Sequence, residues 1–289
     1  MNLSSWLFAA RPKTLVAAII PVISSILILP DIYLIKFDIF VFTLIAAVLI
    51  QVATNYINDV YDFIKGADQN RLGPPRMVQS GKISLSKMKK AILMIFIMAL
   101  LCGIPLAVEG GWPIVFIGLT SFLFSYLYTA GPFPFAYNGL GDIFVFIYFG
   151  LVAVLGSYYL QTGFIDINSL LLGISIGSMN VMLLTINNIR DYQSDKQSNK
   201  NTLIVLLGKS FGKLEMILLN ILYYGSIYIL SIKFRAPAVF FFILCGFPLS
   251  YSIIYDTIYK EGRALNYTLS KISFLLILHC VLLGIGIYI

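Results

Sequence analysis

The 289-residue chain is 59% hydrophobic and only 11% charged, with a mean hydropathy of +0.90. Soluble domains carry about 25% charged residues, so this composition excludes a soluble globule and a disordered chain alike. The net charge of +7 and pI of about 9.2 require no nucleic acid, because loop lysines and arginines beside anionic lipid account for them.

A helix crossing the hydrocarbon core needs roughly 20 apolar residues. Taken in chain order, stretches of that kind fall at 14–30, 37–57, 91–108, 112–130, 140–162, 169–189, 214–232, 236–256 and 272–289, which predicts nine spans. No segment shows the two-residue alternation of a membrane barrel, so the expected fold is an all-α membrane protein, one helical bundle over residues 1–289. The first span follows "RPKT" with no small-residue cleavage site and reads as a retained helix. All Lys and Arg residues except Lys36, Lys233 and Arg235 lie on the side holding the N-terminus and the 58–90, 190–213 and 257–271 loops. The positive-inside rule puts that side in the cytoplasm and the C-terminus outside.

Cys102, Cys245 and Cys280 sit within predicted spans at unrelated spacings, giving neither a disulfide framework nor a zinc site. The single histidine, His279, lies in the last span and is expected to be structural.

The acids are more informative. Directly after the apolar run 37–54 comes "NYINDVYDFIKGADQNR" (55–71), at the cytoplasmic end of the second span. If the helix continues, Asn55, Asp59 and Asp62 share one face, with Asn58 beside them. Gly66, Asp68, Arg71 and the turn "GPPR" ending at Arg76 follow. The sixth span ends in the same way: "NNIRDYQSDKQSNKNTL" places Asn187, Asp191 and Asp195 at four-residue intervals, followed by Lys196, Lys200 and Thr202. The likeness hints at an internal duplication.

Carboxylates and amide oxygens are hard ligands that suit magnesium rather than zinc or copper. Two acidic faces repel unless a cation lies between them, and the neighbouring basic residues call for an anion. A magnesium-bound diphosphate satisfies both sets. The bland alternative, solvated helix ends paired with nearby lysines, explains one cluster more easily than two matched ones. A secondary transporter would place such acids near the bilayer midplane, whereas these gather at one face.

Four stretches, "ARPKTL" (10–15), "NDVYDFIKGADQNRLGPPRMVQSGKIS" (58–84), "GPFPFAYNGLGD" (131–142) and "NNIRDYQSDKQSNKNTLIVLLG" (187–208), resemble the UbiA superfamily of intramembrane prenyltransferases, most closely its 1,4-dihydroxy-2-naphthoate polyprenyltransferase branch. Many members carry an aspartate where this chain has Gly66, with the acid here at Asp68; Asn199 replaces the glycine usual in the branch. The resemblance implies a UbiA-type fold and two Mg2+ ions bridged by substrate diphosphate. Asn58, Asp59 and Asp62 would hold one ion; Asp191 and Asp195, helped by Asn187 or Asn188, would hold the second. Asp68 would serve the metal shell or orient Arg71, while Arg71, Arg76, Lys200, Arg11 and Lys13 would grip the diphosphate.

The implied substrates are a polyprenyl diphosphate and an aromatic acceptor met in the lipid bilayer. The implied reaction transfers the prenyl group with loss of CO2 and diphosphate, giving demethylmenaquinone. Aromatic faces stabilise an allylic cation without reacting with it, and Tyr56, Tyr61, Tyr126, Tyr128 and Tyr137 are candidates. A related acceptor, such as 4-hydroxybenzoate, homogentisate or a glycerol-phosphate lipid, is the nearest competing reading.

Overall fold

Backbone polar groups in lipid must be satisfied within their own segment, and a computed structural model of the chain, described over residues 3–31, 34–68 and 72–289, is correspondingly helical. In chain order the helices are α1 (Leu3–Ala10), α2 (Pro12–Leu27), α3 (Phe37–Ile64), α4 (Leu85–Leu127), α5 (Gly141–Phe146), α6 (Ala153–Thr162), α7 (Ile167–Gln197), α8 (Leu203–Leu207), α9 (Lys209–Lys233), α10 (Pro237–Leu244), α11 (Phe247–Tyr259) and α12 (Leu265–Tyr288). A π-helical stretch, Ile147–Val152, joins α5 to α6.

Among the described residues, six helical units are long and apolar enough to span a membrane, or eight if the bent pairs α1/α2 (53°) and α10/α11 (47°) each count as one. The expected nine is not reached by this count, and the difference lies in α4. Its 43 residues would run about 65 Å if straight, twice the ~30 Å hydrocarbon core. Gly111 breaks the path at φ 63°, ψ −153°, a conformation open to glycine. The rings of Phe96 and Phe122 then meet at 5.2 Å between centroids, where a straight helix would set them about 39 Å apart. α4 is therefore a hairpin whose two arms correspond to the stretches 91–108 and 112–130.

The central helix is α7, with 78% of its apolar window buried against 11% for α4. It starts at a capping box in which the Asp166 carboxylate accepts from Ser169 N–H and Asp166 N–H donates to the Ser169 hydroxyl. It packs chiefly against α9, the π-helical stretch, α12 and α5. Small residues let the backbones approach, since bilayer lipid offers no hydrophobic drive to press helices together. A methyl at Gly150 would lie 2.5 Å from Gly177 Cα and 2.6 Å from Gly173 O, atoms that cannot swing aside. The π-helical stretch alters the hydrogen-bond ladder here, and Asn180 Nδ2 of α7 donates to Phe149 O at 2.9 Å. Gly150→Ala is expected to cost about 1–3 kcal/mol through overpacking, read as a lower thermal midpoint in detergent. An unchanged midpoint would contradict this contact.

His279 is 1% exposed and meets the Tyr223 hydroxyl at 3.2 Å through Nδ1, the structural role its sequence position suggests. The three cysteines are free.

Candidate active site

Both acidic stripes are helical to their ends. α3 runs through Asp62 to Ile64, where Gly66 (φ 75°) turns the chain: its N–H donates to Phe63 O, and Ala67 N–H to Asp62 O. A left-handed residue is needed at 66, which gives a physical reason for glycine there and for the acid to come later, at Asp68. α7 likewise carries Asp191 and Asp195 to its last turns. Asn199 follows at φ 54°, a conformation that asparagine tolerates better than most side chains, so replacing the branch's usual glycine leaves the turn intact.

The two stripes meet in a cavity of about 540 Å³ lined by Asn58, Asp59, Asp62, Asn187, Asn188, Asp191 and Asp195 together with Arg11, Lys13, Arg76, Tyr128 and Lys200. Asp68 is buried behind Arg76 and does not line it; Arg71 lies outside the described residues. Asn55, on the same face of α3, turns away, with Nδ2 donating to Ala10 O (2.9 Å) and Thr14 Oγ1 (3.1 Å).

Each acid is held in a definite way. Asp59, 1% exposed, accepts the N–H groups of Met77 and Val78, both at 3.0 Å, one on each oxygen, and so anchors the 72–84 loop onto α3. Asp62 accepts from Arg76 Nη2 at 2.7 Å and from the Tyr137 hydroxyl at 2.8 Å. Arg76 Nε reaches Asp68 at 3.3 Å, so one buried guanidinium serves two carboxylates. Asp191 accepts a two-pronged contact from Arg190, Nε at 2.8 Å and Nη2 at 2.5 Å, and Asp195 pairs with Lys200 at 3.5 Å. The Asn58 amide oxygen accepts from Thr129 Oγ1. Lys13 Nζ reaches Ser270 Oγ on α12 at 3.0 Å, and Arg11 sits at the α1/α2 break in left-handed conformation, φ 52°.

Tyr137 ties the stripes together. Its hydroxyl holds Asp62, its carbonyl accepts Asn201 N–H at 3.2 Å beyond α7, and the ammonium groups of Lys65 and Lys200 lie 4.1 and 5.6 Å from its ring centroid. Burial, then the Asp62 charge, raises its pKa, so it remains a phenol that donates. Lys65 donates to Thr129 O at 2.8 Å; burial lowers its pKa, with the Asp62 charge opposing and Lys200 reinforcing the shift.

A second, mainly apolar cavity of about 450 Å³ adjoins the first, with Arg11, Thr14, Asn58, Tyr128, Leu183, Leu184 and Asn187 lining both. Its walls include both arms of the α4 hairpin, at Ala99 and Phe122, and Phe144 and Tyr148. Of the five tyrosines expected near a cation, Tyr128 alone lines either cavity. Tyr56 bonds Trp6 O, and Tyr61 and Tyr126 pair with each other. The aromatic wall of the apolar cavity is instead built from Phe122, Phe124, Phe144, Tyr148 and Phe149 beside Tyr128, with Phe135 packed behind Phe124 and Phe144. Sequence reasoning also missed Arg190, Tyr137's bridging role and Asp142. The signal for Arg190 and Asp142 lies in the chain: Arg190 directly precedes Asp191, and Asp142 is the acid that ends "GPFPFAYNGLGD".

Among the described residues no three acidic, histidine or cysteine side chains converge into a self-sufficient metal cage. The donors instead come from two helices, α3 and α7, that line one cavity. That suits hard divalent ions that complete their coordination with phosphate oxygens and water, so the residues present fit Mg2+.

The pattern of the "UbiA prenyltransferase family" matches residues 18–288. A 1,4-dihydroxy-2-naphthoate octaprenyltransferase from Mycobacterium leprae is 34% identical over 207 residues, covering 72% of this chain and 70% of its own. One of the same name from Haemophilus influenzae is 35% identical over 230 residues, 76% and 75% of the two chains. The structure of a UbiA homolog from Archaeoglobus fulgidus bound to GPP and Mg2+ superposes with a TM-score of 0.65 at 15% identity, covering 99% of this chain and 100% of that one. With the family pattern over nearly the whole length and the matching helical fold, this multispanning membrane protein belongs to the UbiA prenyltransferase family.

Proposed function

We propose that the enzyme transfers a polyprenyl group from its diphosphate to 1,4-dihydroxy-2-naphthoate, with loss of CO2 and diphosphate, giving demethylmenaquinone in its quinol form, because the transfer itself removes no electrons from the ring. The observation that carries this reading is the join between the two cavities: a charged chamber of acids and bases opens directly onto an apolar one. A substrate with one charged end and one long apolar end matches that division. The relatives named for the naphthoate reaction support the choice of acceptor.

In this reading Asn58, Asp59 and Asp62 hold one Mg2+, and Asp191 and Asp195, with Asn187 or Asn188, hold another. Asp59 uses the lone pairs left after its two backbone contacts. Bound there, the ions would neutralise charge growing on the departing diphosphate. The chain's own residues bind and orient. Arg76, Lys200, Arg11 and Lys13 face the cavity as phosphate donors, and Arg71 is assigned the same part from its motif. Tyr137 fixes Asp62, Arg190 fixes Asp191, and the apolar chamber excludes water from the allylic carbon. The charged cavity opens at the cytoplasmic face of the cell membrane, with the C-terminus outside, following the bias of the basic residues.

The test is purified protein in liposomes with Mg2+, radiolabelled polyprenyl diphosphate and either 1,4-dihydroxy-2-naphthoate or 4-hydroxybenzoate. Mg2+-dependent prenylated product with the naphthoate is expected. Product with the benzoate alone would overturn the acceptor, and no product with either would overturn the reaction.

A further inference from the structure

Asp142 lies in the first turn of α5 and lines the charged cavity at 6% exposure, and its Oδ1 has no hydrogen-bond partner among the described residues. A buried carboxyl oxygen without a partner costs free energy that packing does not return, and a native fold keeps such a group where it has a use. Its neighbours place that use. The preceding residue, Gly141, also lines the cavity, and a methyl there would come within 3.3 Å of the Tyr128 hydroxyl and 3.5 Å of Leu184 Cδ2. Tyr128 and Leu184 line both cavities, so they mark where the charged chamber meets the apolar one. An allylic diphosphate lying across that junction has its reacting carbon there. Phe144, two residues beyond Asp142, belongs to the aromatic wall of the apolar side. The other acid nearby, Glu215, accepts from Thr185 at 3.0 Å and lines neither cavity.

We propose that Asp142 is a catalytic residue that binds the acceptor's phenolic hydroxyl, the one on the carbon next to the site of prenylation, and carries its proton through the reaction. The inference rests on the transfer to an aromatic acceptor set out above. The hydroxyl proton passes to Asp142 Oδ1 as the adjacent ring carbon bonds to the allylic carbon. The allylic carbon–oxygen bond breaks, and the diphosphate leaves with that electron pair. The ring now holds a ketone beside a tetrahedral carbon bearing both the prenyl group and the carboxylate. Loss of CO2 returns its bonding pair to the ring, Asp142 gives its proton to the ketone oxygen, and the hydroxyl is restored.

Asp142→Asn is expected to lower kcat/KM for 1,4-dihydroxy-2-naphthoate by about 100-fold or more, within the range for a lost general base. Mg2+-dependent hydrolysis of the polyprenyl diphosphate without acceptor, which needs no phenol, should stay within about twofold. Quenching of the naphthoate's own fluorescence should show weakened binding in the variant. The methyl ether of that hydroxyl has no proton to give, so wild type and Asp142→Asn should handle it equally poorly. An undiminished kcat/KM in the variant, or equal losses in transfer and hydrolysis, would overturn the proposal. If the variant does not fold, wild-type enzyme that prenylates the methyl ether as fast as the phenol overturns it. If wild type acts only on another phenol, the naphthoate reading falls, and Asp142→Asn read on that phenol decides the proposal: a loss of about 100-fold supports it and an undiminished kcat/KM overturns it. Activity on no phenol would remove both.

Discussion

Asp62→Asn and Asp195→Asn should each lower turnover by about 10³-fold while the protein remains folded in the membrane. The size follows from losing a carboxylate that would hold the cation neutralising negative charge as it develops on the departing diphosphate, in a cavity shielded from water. Asn keeps the shape of Asp, so packing is preserved. At position 62 it offers one oxygen where two are used, by Arg76 and by Tyr137, and it brings an NH2 group that can accept from neither. Arg76 keeps its contact with Asp68, which limits the damage to the fold. At position 195 the loss is simpler, since Lys200 is its ion-pair partner and both lie at the cavity wall. The measurement is kcat for prenyl transfer beside the thermal midpoint of the same sample. Near-normal kcat in either variant would sink the assignment of the two facing stripes to diphosphate and metal.

The second large effect is on stability. Arg76 lies between Asp62 and Asp68 with all three side chains no more than 5% exposed. Replacing it with Met, similar in reach and uncharged, leaves two buried carboxylates short of their shared guanidinium. Breaking a buried ion pair from one side costs about 3–5 kcal/mol. Arg76→Met is therefore expected to lower the thermal midpoint by many degrees or to prevent accumulation of folded protein. Arg76→Lys should fall between, because one ammonium cannot match a planar fork spread over two acids. A midpoint for Arg76→Met equal to that of wild type would contradict the account.

Much of this was written locally and could be read there. Apolar runs of the right length mark the helices, and four-residue spacing is enough to put Asn187, Asp191 and Asp195 on one face. The fold-back of α4 belongs with what could be read, since 91–108 and 112–130 stand as separate apolar stretches, although the turn itself is set by a backbone angle at Gly111 that no composition encodes. What could not be read depends on residues far apart in the chain. Tyr137 is one of many tyrosines, and only the approach of α3 and the chain after α7 makes it the clasp between them. Asp59 looked like its neighbours by spacing, yet both its oxygens face backbone donors of a loop, a use that no periodicity encodes. The five tyrosines chosen as cation partners were chosen by type, while the wall that formed is mostly phenylalanine.

The apolar chamber has a consequence for how binding must be measured. Lined by side chains such as Ala99, Phe122 and Leu160, it is the kind of space that a lipid acyl chain fills as readily as a prenyl tail. A prenyl substrate that enters it would exchange with lipid rather than leave water. Occupancy would accordingly follow the mole fraction of substrate in the bilayer, so diluting a liposome sample with buffer should leave it almost unchanged, while diluting it with more phospholipid should lower it.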